Sequence, residues 1–215
     1  MPRAPRKLSR RPSRQQARTE ETRKRLLAAA GRIFARHGFE AAKLEEISAS
    51  AGYTRGALYA HFEDKEDIFF SLLEFWVKER IAEVSALLQQ YPVPKERLRA
   101  LRNFYAQHAK DRRIVLLSVE FKLFALRHPE AHARLRARQQ GMRKSAGDLI
   151  CELSKGLGLS PAAPPEETAT ALGAASNALL LERLVDSKSI SEESSQKLLR
   201  RIFDAIVSGE IDPED

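Results

Sequence analysis

Residues 44–62 read LEEISASAGYTRGALYAHF, and the fold follows from how this stretch is spaced. Leu44, Ile47 and Ala51 fall on one face of a short helix that stops at Gly52. Thr54 is a good N-cap for a second helix running to about Phe62. Ile47, Ala51, Leu58 and Phe62 supply a small shared core, and Gly52 supplies the tight turn. Two short amphipathic helices joined by a glycine turn make a helix-turn-helix. In that arrangement the first turns of the second helix reach base edges in the DNA major groove. Those turns carry Arg55, Gly56, Ala57 and Tyr59, and the small Gly56 and Ala57 permit close approach of the backbone.

Working outward, the apolar pattern is helical throughout. Leu26, Leu27, Ala30, Ile33 and Phe34 form a first helix that Gly38 closes. Its start has two candidates, Thr19 as a cap or a capping box at Ser13–Gln16. Asp64 caps a long helix, 64–89, with Ile68, Leu72, Leu73, Trp76, Val84 and Leu88 on its buried side. Prolines at 92, 94, 129, 161, 164 and 165 punctuate the remainder. They leave helices at about 95–110, 112–127, 129–157, 165–186 and 191–208. The expectation is an all-α chain of about nine helices, with no convincing strand and no internal repeat. Composition agrees: Ala and Leu number 57, against 22 for Val, Ile and Thr.

Combined, LLAAAGRIFARHGFE (26–40), AGYTRGALYAHF (51–62) and DKEDIF (64–69) resemble the TetR family of bacterial transcriptional regulators. The close match covers about residues 20–80; beyond it only the helical layout and SVEFKLFALRHPE (118–130) look similar. The resemblance implies a homodimeric regulator of double-stranded DNA, most simply a repressor released from a palindromic operator by a small apolar or cationic molecule. The alternative is an activator, or a regulator without small-molecule control. Thr54, Arg55, Gly56 and Ala57 would lie at bases or nearby phosphates. Tyr59 and His61 would meet backbone phosphate, unless Tyr59 is a core residue. Lys65 would sit at a phosphate beside free backbone N–H groups. Arg55 is the choice for direct readout, since Arg pairs bidentately with guanine. Where many family members begin the first motif helix with Thr, this chain has Ala42 and Lys43; Lys43 keeps a phosphate role without the hydroxyl cap. The last two helices would pack against their copies in a second subunit, and the apolar stripe along 191–208 suits that.

The division expected is a basic flexible arm (1–18), a DNA-binding domain (19–80, motif 43–62) and a helical ligand-binding and dimerisation domain (81–210). Trp76, Phe104, His108, Glu120, Phe121, Phe124, Asn177 and Leu180 are the candidate ligand-lining residues. Aromatic stripes at helical spacing also describe a filled core. His128 and His132 have the i,i+4 spacing of paired metal ligands, but no third ligand is placed, so no metal is expected. Cys151, the single cysteine, has apolar neighbours and reads as a buried thiol. No phosphate loop or nucleophile–base pair appears, so neither a cofactor nor an enzyme is expected. The chain lacks an apolar run long enough for a membrane span and has no secretory signal, so a cytoplasmic protein is expected.

The formal net charge of +8 favours a polyanionic partner, yet it is concentrated. Residues 1–18 hold seven basic side chains and no acid. The rest of the chain is close to neutral, so the motif and not the overall charge points to DNA. The tail, Arg10, Arg11 and Arg14 in particular, reads either as an arm that meets phosphates or a minor groove, or as a solvated extension.

Overall fold

The computed structural model describes residues 13–108, 111–159 and 163–207. Within them are nine helices: α1 (Arg14–Ala41), α2 (Leu44–Ser50), α3 (Arg55–Tyr59), α4 (Lys65–Gln89), α5 (Pro94–His108), α6 (Arg112–Arg127), α7 (Pro129–Leu157), α8 (Pro165–Val185) and α9 (Glu192–Val207). The described residues contain no strand.

The earlier of the two expected starts is the one adopted. Ser13 forms a full capping box with Gln16, so Arg14–Arg18 is helical rather than a flexible arm. Satisfying the first backbone N–H groups locally lets α1 begin about three turns ahead of its first buried residue, Leu26. At the other end Gly38 adopts φ 80, ψ 170, a region open essentially to glycine. The helical path breaks there before one further turn to Ala41. α3 is shorter than expected, ending at Tyr59, and α5 begins one residue early, at Pro94.

The described residues gather into two apolar cores. One joins α1, α2, α3 and the first turns of α4 through Leu26, Phe34, Phe39, Ile47, Leu58 and Phe69. Phe121 and Ala125 of α6 and Ala131 and Leu135 of α7 belong to this same core. Its centre is aromatic: Phe69 stacks on Phe121 at 4.4 Å, and Phe39 meets Phe121 edge-on at 5.1 Å. The other core gathers Val84, Leu101, Ile150, Leu153, Leu172, Phe203 and Val207 from α4, α5, α7, α8 and α9. Helix α4 is common to both, giving Ile68–Leu72 to the first and Val84 to the second.

Candidate nucleic-acid interface and effector cavity

The helix-turn-helix is built by local chemistry. Gly52 takes φ 77 in the turn. The Thr54 hydroxyl accepts from the Ala57 N–H at 3.2 Å and starts α3. Leu58 is fully buried beneath the motif. This fixes which side of α3 is free: Thr54, Arg55, Gly56 and Tyr59 are exposed, and Ala57 is half-buried. Tyr59 is 44% exposed, so it is not a core residue. The Arg55 guanidinium lies 5.4 Å from the Tyr59 ring centroid, donates to its hydroxyl at 3.2 Å and pairs with Glu45 on α2. The hydrogen bond to Tyr59, with the Glu45 charge, raises the pKa of Arg55 above its ordinary value.

The neighbouring candidates are placed differently. Arg23 of α1 donates to the His61 carbonyl (3.1 Å) and to the Ser71 hydroxyl (2.7 Å), and lies over the Phe62 ring, pinning the end of the motif to α1 and α4. Lys43 is exposed and N-caps α2 without a side-chain hydrogen bond. Lys65 turns inward: its ammonium donates to the carbonyls of Glu40 (2.6 Å) and Ala42 (3.3 Å) and lies 5.0 Å from the Phe39 ring centroid. Burial lowers its pKa below the usual lysine value. Arg14 opens α1 and is exposed; Arg10 and Arg11 lie outside the described residues.

A cavity of about 300 Å³ lies within the second core. Of the expected lining residues, Phe104, Asn177 and Leu180 border it. Phe121 and Phe124 do not; they belong with the Phe39 and Phe69 rings of the first core. Glu120 accepts from the Phe39 backbone N–H, and Trp76 packs against the first core beside Gly31. The physical reason is the course of α6: its C-terminal half runs against α1, so its aromatic face fills the head. His108 ends α5, and its side chain is outside the described set. Spacing did not single out Arg80, Tyr105, Asp111 and Phe203 as lining residues. The Tyr105 hydroxyl donates to the Leu172 carbonyl at 2.7 Å, and its pKa is raised by burial.

The two parts of the molecule are tied by ion pairs that sequence spacing also missed. Arg134 of α7 meets Asp64 (2.9 Å) and Glu66 (2.8 Å), and Arg138, four residues on, meets Asp67 (2.7 Å) and Glu74 (3.0 Å). His128 is bonded to the Phe124 carbonyl through Nδ1 at 2.8 Å and stacks on its ring. Among the described residues no group of His, Cys, Asp or Glu could hold a metal ion, and no helix is long and apolar enough to cross a membrane. Cys151 is half-buried on α7.

This is the architecture of a helix-turn-helix regulator with a helical second domain. Residues 26–72 match the family described as bacterial regulatory proteins, tetR family, and residues 94–208 match the BetI-type transcriptional repressor C-terminal domain. The chain belongs to the TetR family. It is 35% identical over 107 residues to the transcriptional regulator AcrR of Shigella flexneri, across 47% of this chain and 49% of that one. The chain thus spans about half the length of that relative. Among solved structures, FadR from Bacillus subtilis in complex with stearoyl-CoA superposes with a TM-score of 0.61 at 17% identity, over 87% of this chain and 98% of that one. A transcriptional regulator from Saccharomonospora viridis in complex with choline gives 0.60 at 21% identity, over 84% and 94%. At these identities the structural likeness speaks to the fold.

Proposed function

We propose that this protein is a homodimeric repressor that binds a palindromic DNA operator and is released from it by a small molecule held in the cavity. One observation carries the reading: α4 connects the two sites. Its N-cap, Asp64, follows the motif within two residues of Phe62, and its later turns supply Arg80 and Val84 to the cavity wall. A ligand that prefers a conformer with α4 displaced shifts the population towards it, and the two heads leave the groove spacing.

Thr54, Arg55, Gly56, Ala57 and Tyr59 form the surface offered to the major groove. Lys43, His61 and Lys65 flank it. The Lys65 ammonium is committed to backbone carbonyls, so its contribution to phosphate binding comes through the start of α4. Dimerisation through α8 and α9 accounts for apolar side chains left in solvent there: Leu184 is 38%, Val185 84% and Leu198 41% exposed. Relatives of the same fold bound to stearoyl-CoA and choline support a small-molecule role for the second domain.

Selection of bound duplexes from a random pool tests the reading. Enrichment of one palindrome, with its retention reduced by a cavity-binding compound, is expected. Retention of all sequences alike would overturn specific binding. A palindrome whose affinity no cavity-binding compound alters would overturn release.

A further inference from the structure

The polar equipment of the cavity defines what it accepts. Among the described residues its lining holds two charged side chains, Arg80 from α4 and Asp111 from the N-cap of α6. Asp111 is already engaged. It accepts from the Arg113 backbone N–H at 3.0 Å, from Nε at 3.1 Å and from Nη2 at 3.0 Å. Burial pushes its carboxyl pKa up, but the bonds from Arg113 outweigh this and hold it below the usual carboxylate range. The Tyr105 and Ser176 hydroxyls both donate to the Leu172 carbonyl.

Arg80 is in a different position. Its guanidinium lies over the Phe104 ring, 5.4 Å from the centroid, which anchors it at the wall. Nη1 is buried and makes no hydrogen bond. It lies 3.3 Å from Glu83 Oε2, an i,i+3 ion pair along the same helix. An incoming oxygen acceptor would satisfy a buried N–H that folding leaves unbonded. A carboxylate suits the guanidinium edge best, by charge and by planar shape. Apart from the Asn177 amide, the remaining described wall is mostly apolar, including Leu101, Leu172, Leu180 and Phe203. The volume lies at the small end of the range for ligand sites.

We propose that the cavity takes a small amphipathic organic anion, a carboxylate with a single apolar chain, with the carboxylate on Arg80. This rests on the reading of the cavity as the effector site. A cationic headgroup fits poorly, because Asp111 is held by three bonds from Arg113, whereas Arg80 keeps a buried N–H without a hydrogen bond beside its ion pair with Glu83. The placement also bears on mechanism: the ligand's charge engages α4 itself, about 24 Å along the helix from Asp64 at a rise of about 1.5 Å per residue.

The test is calorimetric titration of the full chain with octanoate, octanol and octyltrimethylammonium, repeated on Arg80→Gln and Arg80→Lys. Octanoate is expected to bind at least tenfold more tightly than octanol. Arg80→Gln removes that advantage and Arg80→Lys keeps most of it. If Arg80→Gln does not fold, the three probes on the unaltered chain and on Arg80→Lys decide. Octyltrimethylammonium binding as tightly as octanoate, unchanged octanoate affinity in Arg80→Gln, or no binding of any probe overturns the proposal. Operator retention is measured separately. Arg80-dependent octanoate binding that leaves operator affinity unchanged would sink the release reading and leave the anion site standing.

Discussion

The carboxylate of Glu120, on α6, accepts a 2.6 Å hydrogen bond from the backbone N–H of Phe39, one residue past the break in α1. Phe39 is buried, and the same oxygen lies 2.6 Å from where a Cβ on Gly38 would project. Helix α6 therefore caps the end of the helix that supports the motif. Glu120→Ala leaves a buried N–H without an acceptor, and losing a hydrogen bond to a charged group costs about 1.5–3 kcal/mol. The denaturant midpoint is expected to fall accordingly, with Glu120→Gln, which keeps an acceptor, falling by less than half as much. Equal midpoints for Glu120→Ala and the unaltered chain would show that the bond contributes nothing.

The Arg134–Asp64 pair makes a prediction about pH. Burial pushes the Asp64 carboxyl pKa up, but hydrogen bonds from Arg134 and from the Asp67 and Glu66 backbone outweigh it, so the pKa is lowered. A carboxylate depressed in the folded state stabilises fully above its unfolded pKa of about 3.9, and that contribution is lost as pH falls through the folded value. Arg134→Gln should raise the folded pKa and flatten the loss of stability below about pH 4. Both side chains are partly exposed, at 35% and 47%, so the effect at neutral pH should stay within about 1 kcal/mol. Denaturant midpoints measured from pH 2 to 6 check this; parallel curves for the two proteins would refute it.

The motif was legible because its whole argument is local. Gly52, the Thr54 cap and the Ile47–Leu58–Phe62 spacing need no distant partner to be read. The bounds of α6 and α7 were equally plain, since Pro129 ends one helix and opens the next. The cavity was not legible for a physical reason. Periodicity says that Phe121 and Phe124 bury a face, but not that α6 crosses the head and delivers that face to Phe39 and Phe69. Arg80 escaped notice because a charged residue on a long helix reads as solvated until the packing partner above it, Phe104, is known. Lys65 shows the converse: motif position suggested phosphate, while the C-terminal end of α1 offers its ammonium the carbonyls of Glu40 and Ala42.

Gly56 separates folding from recognition. A Cβ there meets only the Thr54 hydroxyl, at 3.9 Å, so α3 has room for a side chain, and glycine costs a helix about 1 kcal/mol relative to alanine. Gly56→Ala should therefore leave stability unchanged or raise it by up to about 1 kcal/mol. If α3 lies close against the groove, the same methyl weakens operator binding. Thermal unfolding and operator titration on one protein sample measure both. A variant that is more stable and binds as well as before would remove Gly56 from the interface.

Arg55 makes the sharpest claim on sequence readout. Tyr59 and Glu45 hold its guanidinium on the open face of α3, and its side chain is 58% exposed. Arg55→Ala removes no buried contact, so stability should move by less than about 0.5 kcal/mol. A bidentate Arg–guanine contact discriminates by about 1–3 kcal/mol, so affinity for the selected palindrome should fall roughly five- to more than a hundredfold per half-site. Binding measured on a panel of single-base operator variants distinguishes base readout from phosphate contact. Base readout predicts that Arg55→Ala relaxes preference at one position of each half-site and leaves the others intact. A uniform weakening across the panel, with a shallower salt dependence, would instead assign Arg55 to the phosphate backbone.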